Sequence, residues 1–121
     1  MTGDVQTVRN INPMLDALLV PGTALTVAAP GTPQYKALRT TIITWIELDN
    51  TDVSGRTVTM HAIPPGGAAG VSTRILAQAL TAGQRLGIQS GEVILAGYTL
   101  QLTADAGAVV RASVSGQVQT P

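Results

Sequence analysis

One histidine, His61, is the first residue that could do chemistry in this chain of 121 amino acids. A Ser-His-acid triad would need a serine nucleophile beside it and a carboxylate behind it. The nearest serines, Ser54 and Ser72, fall in turn-like stretches, and no G-x-S-x-G elbow occurs. A zinc site needs three or four nitrogen or sulfur ligands. A single His with no Cys cannot supply them, and the carboxylates Asp4, Asp16, Glu47, Asp49, Asp52, Glu92 and Asp105 are scattered. Asp49, Asn50 and Asp52 resemble calcium ligands in type, but neither the loop glycine nor the terminal bidentate Glu follows. They read as turn residues bonding their own backbone. Gly66-Gly67-Ala68-Ala69-Gly70 lacks the Lys and hydroxyl of a phosphate loop and reads as a flexible hairpin loop. Trp45 and Tyr98 are expected to plug a core that contains no Phe, and His61 to send a hydrogen bond into the loop after it. No catalytic, cofactor or metal site is expected, and the protein is read as a non-enzyme.

Composition narrows the classes further. Seven basic and seven acidic residues cancel, and only 12% of residues are charged, against about 25% in an average soluble protein. A dedicated nucleic-acid binder needs a basic face, whereas Arg39, Arg56, Arg74, Arg85 and Arg111 are dispersed. No run of about 18 apolar residues could cross a bilayer, and no basic stretch followed by an apolar one marks a signal peptide. The absence of cysteine removes any disulfide framework. A weakly charged, neutral surface gives little protection against self-association, which suits a component of an assembly.

The elements follow from period and punctuation. Asn12-Pro13 reads as a helix cap, with Met14, Leu15, Leu18 and Leu19 as an apolar stripe ended by Val20-Pro21-Gly22. This is a short helix closing the end of a β core or an arm that docks on a neighbouring subunit, with disorder or an extended strand as the remaining reading. From Thr23 onward the period is two. Strands are expected at 24–28, 39–49, 56–63, 73–80, 85–89, 93–95, 98–103 and 109–119, separated by Gly, Pro, Asn and Asp turns. In the second of these, Ile42, Thr44, Ile46 and Leu48 should share one face. In the last, Val110, Ala112, Val114, Gly116 and Val118 should face inward. About eight short strands without intervening long helices predict an all-β antiparallel sandwich or jelly roll. The expected organisation is an N-terminal arm or helix over 1–22 and a β-sandwich domain over 23–121. Outward Thr, Ser and Gln can hydrogen-bond across a subunit contact without the cost of burying charge.

Thr40 to Gly70 (TTIITWIELDNTDVSGRTVTMHAIPPGGAAG), the turn LTAGQRL at Leu80 to Leu86, Tyr98 to Asp105 and the closing V-S-G run in a familiar order. Over roughly Thr23 to Gln119 this order resembles small virion structural proteins of tailed bacteriophages. The resemblance implies a β-sandwich or jelly-roll building block of the particle: a minor capsid or decoration protein, or a tail, baseplate or fibre component with receptor- or glycan-binding loops. It carries no functional residues, since Asn50, His61, Pro64, Gly66, Gly67 and Gly83 look like turn and fold determinants. It also implies a location in the virion. The expected partners are copies of the chain itself, with trimers suiting threefold sites, and the major capsid protein or other virion proteins. The expected contact residues are Met14, Leu15, Leu18 and Leu19 in the arm and Pro64, Pro65, Gly66 and Gly67 in the loop. Removing residues 1–20 should then leave a folded domain that fails to assemble.

Overall fold

Alternation of aliphatic and small polar residues makes this chain a set of paired strands. The computed structural model describes residues 14–27 and 33–120. Among these residues nine strands run in the order β1 (Met14–Ala24), β2 (Tyr35–Lys36), β3 (Thr41–Asn50), β4 (Arg56–Ile63), β5 (Arg74–Leu80), β6 (Arg85–Gln89), β7 (Val93–Ile94), β8 (Thr99–Ala104) and β9 (Val110–Gln119). One 3-10 turn, Val71–Thr73, precedes β5. The first sheet has the order β1-β9-β3-β6, with β7 also paired to β3, and the second has the order β2-β8-β4-β5. All strand pairs are antiparallel. β6 pairs with residues 45–49 of β3, and β7 with residues 41–42. Taken together they act as one interrupted strand, and the two four-membered orders are then those of a double-sheet jelly roll. The expected all-β sandwich is the fold observed.

The core is aliphatic. Leu25, Ile43, Ile46, Leu48, Met60, Ile94, Leu100 and Leu102 are its largest fully buried side chains. In β9, Val110, Ala112, Val114 and Gly116 alternate inward as the period predicted. β8 is buried on both faces apart from Thr99 at its start, which is half-buried. Its free edge is closed by other segments. Tyr35 and Lys36 pair with Leu100 and Thr99, and Thr26 bridges Thr103. Between them the Gln34 side-chain amide takes the place of a strand residue, donating to the Leu102 carbonyl at 2.8 Å and accepting from the Leu102 N–H at 2.7 Å.

Three expectations are corrected. Met14, Leu15, Leu18 and Leu19 are not on a helix: they open β1, which runs in register with β9 from Met14↔Gln119 to Ala24↔Arg111. The pairing with β9 overrides a weak local helix preference. The spacing that suggested a helical stripe is produced by a bulge between Leu18 and Val20, which turns both Leu19 and Val20 into the core. The stretch 24–28 is no separate strand, since Ala24 ends β1 and Thr26 makes only an isolated bridge; Ala28 lies outside the described residues, as do Asn12 and Pro13. In β3, a second bulge between Ile43 and Trp45 divides the strand. Thr41 and Ile43 face the core before it, and Ile46, Leu48 and Asn50 after it, so Ile42 and Ile46 do not share a face. A single extra residue exchanges the two faces of everything beyond it.

Both bulges flank the same stretch of β9. Ser115 pairs with Leu18 on one side and Trp45 on the other, and the extra residues are Leu19 and Thr44. At the neighbouring Gly116 a Cβ would lie 2.5 Å from the Ile42 carbonyl oxygen and 2.9 Å from Leu19 Cδ1. The residue is glycine because backbone and side chain close in there from both neighbours.

At the far end, Asn50 is fully buried and joins two loops. Its Nδ2 donates to the Ser54 and Thr81 carbonyls, each at 2.9 Å, and its Oδ1 accepts from the Asp52 N–H at 3.0 Å. Asp52 in turn accepts from Arg56 Nε at 2.8 Å and Nη2 at 2.5 Å, and from the Val53 N–H at 2.7 Å. The Arg56 hydrogen bonds, followed by the Val53 N–H, hold the Asp52 carboxyl below its ordinary pKa of 3.8.

Three measurements check this account. In urea unfolding, Gly116→Ala should cost about 1–3 kcal/mol by overpacking. Asn50→Ala should cost about 3 kcal/mol by stranding two carbonyls and one N–H, while Ser115→Ala should be near neutral. A chain lacking residues 1–20 should lose cooperative unfolding, contrary to the sequence expectation, because Leu19 and Val20 belong to the core. Asp52 has a lowered folded pKa, so its contribution is present above its unfolded value of about 4 and is lost as pH falls through the folded value. The stability gap between wild type and Asp52→Asn should therefore be full at neutral pH and shrink on acidification.

Candidate functional site

The outward and edge residues define what the molecule offers to a partner. Among the described residues β1 is an edge strand of the first sheet. Its first half, Met14 to Leu18, carries one charge, Asp16, and neither Lys nor Pro, which are the usual guards of a free edge. Pro21 and a further register shift interrupt only the second half. Leu15 pairs with Val118 and so faces the space between the sheets, whereas Leu18 pairs with Ser115 and faces outward. Both are 61% exposed. Leu15 lies on an apolar groove of about 420 Å³ formed with Ala17, Tyr35, Leu38 and Val118 and flanked by Lys36 and Arg39. Leu38 is 80% exposed at its rim.

The expected contact residues divide accordingly. Leu15 and Leu18 are exposed and Met14 is half-buried, but Leu19 lies in the core at 6% exposure and cannot meet a partner. Pro65, Gly66 and Gly67 are exposed and Pro64 half-buried. The Gly67 N–H donates to the Pro64 carbonyl at 2.9 Å, with Gly66 at φ +74°, so this is a tight turn. Pro65 packs on Gly97, where a Cβ would come within 3.1 Å of its ring. The loop and the start of β1 lie at the same end of the sandwich, where β1, β3 and β8 begin and β4 and β9 finish. Each borders a different cavity.

The far end of the loop is tied down through His61. Its Nδ1 lies 3.0 Å from Thr73 Oγ1, and that hydroxyl accepts from the Gly70 N–H at 2.9 Å and donates to the Gly70 carbonyl at 3.0 Å. With the hydroxyl proton given to Gly70, His61 Nδ1–H donates to Thr73. The sequence reading of His61 as a tether into the following loop matches this geometry. Among the described residues, no group of three or more His, Cys, Asp or Glu could hold a metal ion.

Trp45 departs from expectation. Tyr98 packs partly buried against the core, but Trp45 stands on the outer face of the first sheet, 43% exposed. The bulge at Thr44 turns it there. Its benzo ring packs against Gly87, where a Cβ would fall 2.1 Å from Cζ2, and the indole N–H donates to Glu47 Oε1 at 3.4 Å. Leu18 lies in the same row as Trp45, across Ser115; on one side of that row the face carries Asp16, Gln117, Ile42 and Val93, and on the other Glu47, Asp49, Arg85 and Arg111. Charges of both signs are thus gathered on one side of Trp45, while Leu18, Ile42 and Val93 share the rest of the face with the Asp16–Gln117 pair. The alternation pattern contained no signal for this, because the bulge cannot be read from residue types.

No protein-family model matches the chain, and no curated protein matches it. Two solved structures are similar over most of its length. One, of infectious bursal disease virus Gx strain, is 18% identical, covers 88% of this chain and 32% of its own, and has a TM-score of 0.44. The other, of a T13 viral particle of infectious bursal disease virus, is 12% identical, covers 91% of this chain and 32% of its own, and has a TM-score of 0.45. This chain therefore spans about a third of the length of either. At such identities and TM-scores the likeness carries no argument about function, and the jelly-roll assignment stands on strand order.

Proposed function

We propose that this protein is a non-enzymatic structural component of a virus particle, a jelly-roll block that assembles through repeated contacts with its own copies and with a larger shell. The observation that carries the reading is the unguarded half of β1, with Leu15 and Leu18 exposed on its two faces beside the Leu38 groove. An edge strand of this kind is a template for pairing with another chain, and apolar side chains on both faces extend the contact beyond the backbone. The zero net charge adds no repulsion between copies. Symmetric repetition then multiplies modest contacts into stable attachment. Within this reading, a minor capsid or decoration role in a tailed phage follows from the sequence resemblance. Fold alone is shared with lectins and cupins.

A second reading, a tail or fibre component with a receptor-binding surface, draws on Trp45. An indole packed against Gly87 and 43% exposed offers aromatic surface on which a ligand could stack. Adsorption of the purified protein to host cells, lost in Trp45→Ala, would favour this reading over the first.

Light scattering and particle stoichiometry test the main proposal. The full chain should form a closed oligomer, and Leu15→Lys with Leu18→Lys should return it to monomer without loss of fold. On purified particles, on the order of hundreds of copies indicate the shell and roughly three to twelve the tail or baseplate. A chain that stays monomeric at high concentration and is absent from particles overturns the proposal.

A further inference from the structure

Outward positions of a sheet ordinarily meet solvent, yet Gln101, on the outer face of β8, is only 7% exposed. It pairs with His61 on β4. The loop after β4 and the chain at Pro33 flank it and border an open cavity of about 370 Å³. Ile63, Ala68, Ala69 and Pro33 form apolar walls, while Thr99 and Gln101 form the floor. No hydrogen bond to a described residue holds the Gln101 amide. Its polar atoms open on the cavity, since no side-chain N or O sealed from solvent lacks a partner. A buried polar group is normally paired, and here the partner is left to come from outside. The wall is preorganised: the His61–Thr73–Gly70 bonds fix one end of the loop, and the Pro64–Gly67 turn, packed on Gly97, fixes the other.

We propose that this cavity binds a neutral ligand bearing an acetamido group, held by Gln101 and Thr99. Among the described residues no charged side chain lines the cavity, so an ion entering it would be desolvated without compensation. Thr99 and Gln101 are two residues apart on one strand face, a separation of roughly 7 Å. A trans secondary amide presents its carbonyl and its N–H on opposite sides, and lying along the strand it spans that separation. Gln101 Nε2 donates to the ligand carbonyl, Thr99 Oγ1 accepts from the ligand N–H, and the methyl group meets Ala68, Ala69 and Ile63. Two sources carry this chemistry, an N-acetylated sugar and a peptide. The inference does not depend on the assembly role, because it concerns the outer face of the second sheet and not the β1 edge.

Amide-resolved NMR titration of the full chain tests it, with N-acetylglucosamine, acetylglycine methylamide and, as control, glucose. Saturable shifts at Ala68, Ala69, Thr99 and Gln101 with either acetamido probe, and none with glucose, support the proposal; the stronger probe names the source. Gln101→Leu should weaken binding at least tenfold with the rest of the spectrum preserved. Ala68→Leu, at an exposed loop position, should block the cavity even if Gln101→Leu fails to fold. No saturable shift with either acetamido probe, equal response to glucose, or undiminished binding in Ala68→Leu overturns it. Each of these results is readable whether the chain is a monomer or an oligomer.

Discussion

The close approach of β1 and β3 to β9 around Gly116 is the constraint on which the rest of the molecule depends. Two neighbouring strands each carry one extra residue opposite the same short stretch, and only a position without a side chain allows both to close in. Bulges bend strands and increase their twist, and here they sit on both flanks of β9. They also decide which residues are available outside. Leu19 and Val20 are both turned in, leaving Leu18 out, and Ile46, Leu48 and Asn50 are turned in, leaving Trp45 out. The exposed leucine and the exposed indole thus share one cause.

Much of the fold was legible in residue types. Val110, Ala112 and Val114 alternate with polar residues and face inward, and β4 and β6 begin and end where the turn residues placed them. What was not legible came from pairing. Met14 to Leu19 has a spacing that suits either a helix or a bulged strand, and only the partner β9 decides between them. Thr44 is a good strand residue, and nothing in its type marks it as the extra one. Leu15 and Leu18 were identifiable as contact candidates because they are apolar, but the separation of Leu18 from the buried Leu19 again required the bulge. Gln101 was unremarkable in sequence, since it lies beside two segments distant in the chain, the loop at 67–69 and Pro33.

Two buried amides show how similar groups serve different ends. Asn50 spends its donors and its acceptor on loop backbone, and so stabilises one end of the sandwich. Gln101 is nearly as deeply buried but opens on a cavity at the opposite end. An amide satisfied within the fold gives stability, and one that opens on a cavity is left to bond water or a ligand.

The Gln34 side chain, set into the ladder beside Leu102, has a mechanical consequence. It helps close the β8 edge of the second sheet, while among the described residues no strand pairs with the outer edge of β1 on the same flank. A joint formed there by strand addition engages one layer of the sandwich and leaves the other unbonded. A seam one layer thick is a hinge. Neighbouring blocks joined that way can tilt about the strand axis, so identical subunits can follow surfaces of different curvature without breaking the backbone ladder that joins them.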